Sequence, residues 1–248
     1  MIQALIFDLD GTLVQTEVLK ATSYAKAAHI LTNKTIAEQA VLKAFGDYIG
    51  QSREKALQGL TNTLISEFQR ALNTYDMFSI QQQFIAKRLE IYGNILADGQ
   101  LLSKHFCTDT LGLFHAAKNK QFKLVLATMS HLPEAKRITK MMGIYDQFDI
   151  ILTKDNVTHG KPHPEIYNLA KTKLGLSEKE CLVIEDSVNG IKAAQAAQLP
   201  VFAVTNTVTR KSVHGCQLLP SEFVVDDLST LKNRVFDFIE KQNEGVIS

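Results

Sequence analysis

Five apolar runs of strand length mark the chain: "ALIFDL" near residue 5, "FKLVLAT" at 122–128, "FDIILT" at 148–153, "CLVIED" at 181–186 and "PVFAVT" at 200–205. All but the first follow a stretch with helical periodicity, at 111–120, 133–142, 164–174 and 188–197. Strands alternating with helices in this way predict an α/β fold built on a doubly wound parallel sheet.

Between the first run and the second the pattern changes. Leu, Ile, Phe and Ala recur at helical spacing in "VLKATSYAKAAHIL", "IAEQAVLKAFGDYI", "EKALQGL" and "QQFIAKRLEIYGNIL", with no convincing strand. An all-helical domain over 16–106 is therefore expected as an insertion into a core formed by 1–15 and 107–248. The polar passage "NILADGQLLSKHFCTDT" suits a hinge where the insertion returns to the core. No internal repeat or low-complexity linker interrupts the chain.

Composition narrows the picture. With 248 residues and 45% hydrophobic content, the chain can bury a substantial core. Its 27 Lys plus Arg against 26 Asp plus Glu create no global field for nucleic acid or an anionic membrane, so neither partner is expected. The three cysteines, Cys107, Cys181 and Cys216, form no metal-like pair, and the N-terminus lacks the pattern of a signal peptide. No run approaches the roughly 20 apolar residues of a membrane helix. These features lead us to expect a cytoplasmic monomer.

The chemistry gathers at strand ends, where parallel sheets bind their ligands. The first run ends in Asp8, Asp10, Gly11 and Thr12, the second in Thr128, Met129 and Ser130, and the fourth in Glu185 and Asp186. Four carboxylates and three hydroxyls in one small volume are intolerable dry and unpaired, so the cluster calls for a cation. Oxygen donors, few in number, point to Mg²⁺ sharing its shell with water and a substrate phosphate. One carboxylate of the first pair could then act as nucleophile. The other, two positions on and on the same side of an extended chain, could exchange a proton with the leaving oxygen. Lys161, in "HGKPHPEIY" after the third run, can reach the same mouth and offset negative charge on the carboxylate and the transferred group.

"DLDGTL", the strand-terminal Thr128, "GKPHPEIY" and "VIEDSVNGIKAA" resemble, in order and approximate separation, the four signatures of the haloacid dehalogenase superfamily of hydrolases. The insertion is similar to the small helical cap of that family's β-phosphoglucomutase-like branch. The resemblance implies a Rossmann-like core in which Asp8 is the nucleophile, forming an aspartyl-phosphate, and Asp10 the general acid and then base. Thr128 and Lys161 would hold the phosphoryl oxygens and the nucleophile, with backbone amides near Leu9 and Met129 cradling phosphate. Asp186 would complete the Mg²⁺ shell with Glu185, the Asp8 carboxylate and the Asp10 carbonyl, while Gly11 would allow the sharp exit from the strand.

Three departures from the family pattern matter. Gln15 stands where the branch often carries Asp, and Thr108 with Asp109 where Pro-Gly is usual. Lys20 stands where the related mutases carry a His, which favours a phosphatase, with water as acceptor, over a sugar-phosphate mutase, while intact Asp8, Asp10, Lys161 and Asp186 argue against a catalytically silent binding protein. Substrate choice is expected in the helical cap. "GQSREKAL" at 50–57 and "AKRLEIY" at 86–92 resemble its functional segments, making Ser52, Arg53 and Lys87, together with Lys20, candidate contacts to a small phosphorylated metabolite such as a sugar phosphate. His159 and His163 flank Lys161 like a metal pair, but their loop beside Pro162 and the oxygen-rich site argue against zinc. Asn189 and Gly190 read as helix capping and close packing.

Overall fold

The computed structural model describes residues 1–48 and 52–244. After strand β1 (Ala4–Phe7) come six helices, α1 (Glu17–Leu31), α2 (Glu38–Phe45), α3 (Arg53–Thr63), α4 (Ile65–Leu72), α5 (Met77–Ala97) and α6 (Gly99–Ser103). The alternating part follows: α7 (Thr108–Asn119), β2 (Lys123–Ala127), α8 (Leu132–Met141), β3 (Ile150–Leu152), α9 (Glu165–Leu174), β4 (Cys181–Glu185), α10 (Val188–Ala196), β5 (Val201–Val204), α11 (Arg210–Cys216), β6 (Val224–Val225) and α12 (Leu231–Glu244). The chain divides into two compact units, one of residues 1–15 with 105–248 and one of residues 16–104.

The first unit carries a six-stranded sheet in the order β3-β2-β1-β4-β5-β6, with every pairing parallel. β1 lies between β2 and β4, Ala4 facing Lys123 on one side and Cys181 on the other. Strand order reverses across β1, so its carboxyl end is the natural crevice of the sheet. The strands read as unbroken apolar runs because both faces are covered. Ala4, Ile6, Val125, Val183 and Ala203 pack with Ile166, Tyr167 and Ala170 of α9 and Ile191 and Ala194 of α10. On the other face Phe7 meets Phe114 of α7 with ring centroids 5.6 Å apart, and Phe202 meets Phe238 of α12 at 5.7 Å. Burying side chains of this size contributes about 1.5–3 kcal/mol each, which sets the rigidity of the strand ends above them.

The second unit is helical throughout its regular structure. Tyr24 of α1, Phe45 of α2, Phe68 of α4 and Phe84 of α5 form its aromatic centre, with Phe68 and Phe84 at 4.8 Å. Helix starts use local caps: Ser52 accepts from the Lys55 amide at 3.3 Å, and Asp76 from Phe78 and Ser79 at 3.1 and 3.3 Å. Among the described residues no helix is long and apolar enough to cross a membrane.

Two local expectations need correction. The passage over 94–110 is mostly helical, not loose: α5 runs to Ala97, α6 occupies Gly99–Ser103, and α7 starts at Thr108. Asp98 caps α6 by accepting from the Leu101 amide at 3.0 Å, and buried Leu96 and Leu102 anchor a stretch whose polar residues, buried Thr110 apart, lie at or near the surface. β6, α11 and α12 also lie beyond the predicted elements, extending the sheet edge and covering it.

Candidate active site

Parallel pairing runs one residue past β1, since the Asp8 amide donates to the Ile184 carbonyl at 3.0 Å. The chain then turns sharply. The amides of Thr12, Leu13 and Val14 converge on the Leu9 carbonyl at 3.3, 2.9 and 3.1 Å, and the Gly11 amide donates to Val14 O at 2.7 Å. Gly11 has φ +89°, and a Cβ there would stand 1.9 Å from Asp186 Oδ2. Only glycine permits both the conformation and the approach of that carboxylate to the turn. A comparable fit occurs at Gly190, where a Cβ would lie 1.8 Å from Glu185 Oε1.

Lys161 is the hub. Its Nζ donates to Asp8 Oδ1 at 2.7 Å, Glu185 Oε1 at 2.5 Å and the Ala127 carbonyl at 2.9 Å, and its side chain is only 5% exposed. Glu185 uses its oxygens fully: Oε1 also accepts from the Tyr167 hydroxyl at 3.1 Å, while Oε2 accepts from the amides of Asp186 and Ser187 and from the Ser187 hydroxyl. Asp10 Oδ2 accepts from Ser130 Oγ at 2.5 Å and, more weakly, from Thr128 Oγ1 at 3.4 Å. The Thr128 hydroxyl in turn accepts from the Ser130 amide at 3.0 Å. Leu9 and Met129 sit at the same strand ends, Leu9 fully buried and Met129 partly so.

The electrostatics follow from this crowding. Burial, opposed by Lys161 and reinforced by Glu185 and Asp10, pushes the Asp8 carboxyl up to about 7. Burial alone would push Lys161 down, but Asp8 and Glu185 outweigh it and hold the ammonium well above its ordinary range. One lysine cannot neutralise this group of acids. Asp8, Glu185 and Asp186 are all buried and offer oxygen atoms within 4.8 Å of one another, a set able to hold a metal ion.

A family model described as haloacid dehalogenase-like hydrolase matches residues 2–198 of the chain. The chain belongs to the haloacid dehalogenase-like hydrolase family. Among relatives of this hydrolase, a Bacillus subtilis (strain 168) protein named "Putative phosphatase YhcW" is 32% identical over 84% of this chain and 86% of its own. The phosphoglycolate phosphatase of Salmonella typhi is 30% identical over 82% of this chain and 81% of its own. In fold, the crystal structure of β-phosphoglucomutase from Clostridium difficile superposes with a TM-score of 0.73 at 24% identity, covering 100% of both chains.

The helical unit of this haloacid dehalogenase-like hydrolase gives its predicted substrate residues local partners. Lys20 pairs with Glu17 at 2.9 Å, Lys87 with Glu90 at 2.6 Å, Ser52 caps α3, and Arg53 opens that helix. Gly50 and Gln51 of the predicted 50–57 segment lie outside the described residues. The buried charge of the unit is instead Arg88, 3% exposed, with its guanidinium 5.0 Å from the Tyr24 ring centroid and 4.2 Å from that of Tyr92.

Two residues at the strand-end cluster escape the sequence reading. Tyr167 orients Glu185 from α9, although it closes the very motif that contains Lys161. Asn206, the second residue past β5, donates from Nδ2 to Asp186 Oδ2 at 3.1 Å while its Oδ1 accepts from the Val208 and Thr209 amides at 2.8 and 3.0 Å. Extending the strand-end rule to the fifth run would have singled it out.

Proposed function

We propose that this hydrolase is a Mg²⁺-dependent phosphatase of a small phosphorylated metabolite, a sugar phosphate by class, working through an aspartyl-phosphate on Asp8. That it is a phosphoric monoester hydrolase follows from its family and from relatives named as phosphatases. The observation that carries the finer reading is the division of labour between two aspartates. Lys161 grips Asp8 through Oδ1, and Ser130 grips Asp10 through Oδ2, so each carboxyl is fixed by a different partner.

The donor set fits Mg²⁺: oxygen only, buried, and more acidic than Lys161 can balance. Asp8 and Asp186 would hold the ion with the Asp10 carbonyl, Asn206 orienting Asp186. Glu185, with both oxygens committed to Lys161, Tyr167 and the β4–α10 turn, is better suited to holding the lysine than the metal. When bound, the ion offsets the repulsion between a phosphate and an attacking carboxylate.

The residues of this chain then divide the work. An Asp8 oxygen forms a bond to phosphorus as the ester oxygen leaves with its electron pair, and Asp10 gives that oxygen a proton. Lys161 and the Thr128 hydroxyl stabilise charge on the phosphoryl oxygens. Asp10, now a carboxylate, takes a proton from water; the water oxygen attacks phosphorus, and the bond to Asp8 breaks to release phosphate. Asp8 returns as a carboxylate and Asp10 as an acid.

Substrate choice is assigned to the helical unit, through Arg53 and its neighbours. Lys20 favours hydrolysis over mutase chemistry, being paired with Glu17 where related mutases carry a His. A panel of sugar phosphates together with 2-phosphoglycolate, assayed for phosphate release with and without Mg²⁺, tests the proposal. Release that depends on Mg²⁺ supports it; isomerisation of a sugar monophosphate driven by its bisphosphate would replace it with the mutase reading.

A further inference from the structure

Outside the strand-end cluster, one other group of described residues gathers metal-ligating atoms: His159, His163 and Glu165, with one donor from each within 4.8 Å of the others. The sequence alone shows only the two histidines, whose loop beside Pro162 argues against zinc; the fold reverses that expectation. Folding adds the carboxylate, because Glu165 opens α9 and turns back over the loop that leads into it. Its Oε1 accepts from the Thr158 amide at 2.8 Å, and its Oε2 accepts from the His159 amide at 2.8 Å. These backbone bonds place Oε2 3.0 Å from His159 Nδ1 and 3.9 Å from His163 Nδ1. The two imidazoles lie face to face, centroids 4.7 Å apart and tilted by 36°. His163 is itself tethered, its amide donating to Gly160 O at 3.1 Å and its Nδ1 accepting from the Glu165 amide at 3.3 Å.

Donors of a tetrahedral zinc site stand about 3.4 Å apart when each bond is about 2.1 Å. The spacings at Glu165 Oε2 bracket that value, so small rotations of the two exposed imidazoles and the half-buried Glu165 carboxylate would complete the shell, with Zn²⁺ taking the His163 Nδ1 lone pair in place of the 3.3 Å bond from the Glu165 amide. Two imidazoles and one carboxylate select a transition metal, in contrast to the all-oxygen cluster at Asp8. We propose that His159, His163 and Glu165 form a second, surface metal site that takes Zn²⁺, with water in the fourth position. The site straddles Lys161, which lies between the two histidines and reaches Asp8 with its Nζ at 2.7 Å. An ion held there clamps both sides of the segment that delivers the lysine. The inference is independent of the phosphatase mechanism, since none of its three ligands takes part in that chemistry.

The test is Zn²⁺ binding to the full chain in excess Mg²⁺, followed by competition with a chromogenic chelator, with Co²⁺ absorption in the visible as a check on imidazole ligation. One Zn²⁺ per chain is expected in the native protein and in Asp186→Asn. Affinity should fall at least about tenfold in His159→Ala and in His163→Ala, both at exposed positions, with far-UV circular dichroism confirming that each is folded. Three results overturn the site: no stoichiometric Zn²⁺, Zn²⁺ held equally well by the histidine variants, or binding lost in Asp186→Asn but kept in those variants. The last would place the ion in the oxygen cluster.

Discussion

Replacing Lys161 with Met keeps an unbranched side chain one atom shorter and removes its charge. Asp8 and Glu185 then lose the ammonium that contacts them at 2.7 and 2.5 Å, and both remain buried. Removing one member of a buried ion pair costs about 3–5 kcal/mol, because the surviving charge is left uncompensated. With a side chain only 5% exposed, Lys161 gains little screening from solvent that would reduce this figure. The cost depends on pH in a definite direction. Buried Asp8 has its pKa raised from 3.8 to about 7, so it binds its proton more tightly folded than unfolded. That contribution to stability is complete below 3.8 and is lost as pH rises through about 7. Without Lys161 the folded value rises further, and the loss on raising pH becomes steeper. Urea unfolding followed by circular dichroism in a metal chelator should show Lys161→Met less stable than the native protein by about 3–5 kcal/mol near pH 8, and by less than half of that near pH 5. An equal difference at both pH values, or one below about 1 kcal/mol near pH 8, would refute the charge-compensation argument.

The same geometry makes further predictions. Gly11→Ala forces a left-handed conformation costing about 1–2 kcal/mol and drives a methyl group into Asp186, so kcat/KM for phosphate release should fall about a hundredfold on a panel substrate. Asn206→Ala removes one hydrogen bond from Asp186 without touching Asp8 or Asp10, and should raise the Mg²⁺ concentration for half-maximal activity about 10–100-fold while kcat at saturating Mg²⁺ changes far less. Because a protonated Asp8 competes with metal, the rise in melting temperature on adding Mg²⁺ should be larger near pH 8 than near pH 6, measured by thermal shift; equal gains would count against Asp8 as a ligand. Arg53→Ala should raise KM for the best panel substrate several-fold, and unchanged kinetics would remove Arg53 from the substrate assignment.

Much of this architecture is legible in the chain because its strongest signals are physical necessities. A parallel strand covered on both faces must be continuously apolar, so "ALIF" and "CLVIE" stand out, and an acidic residue just past such a run has few structural reasons to be there. β6 is only two residues long, too short for any periodicity to register. The stripe Leu231, Val235 and Ile239 of α12 carries a readable helical spacing, but it follows the last apolar run of strand length and so stands outside the strand–helix alternation. At the strand-end cluster, carboxylates announce themselves by charge, whereas Tyr167 and Asn206 are neutral and act through other side chains. Position past the fifth run points to Asn206, but what each residue does emerges only when the fold sets a hydroxyl 3.1 Å from Glu185 and an amide 3.1 Å from Asp186. The helical unit is the least legible part: half-buried Lys87 and exposed Ser52 read as ligands but have ordinary local partners, while buried Arg88 sits next to Lys87 in the chain without any distinguishing pattern.

The central claim is that Asp8 becomes covalently phosphorylated during turnover. Acid quenching of the enzyme mixed with a turned-over substrate and Mg²⁺, followed by peptide mass spectrometry, measures this directly. The account predicts one added phosphoryl group on Asp8, labile to hydroxylamine and absent from Asp8→Asn, which should also fail to release phosphate. Turnover that persists in Asp8→Asn, or a phosphoryl group mapped to any other residue, would contradict it.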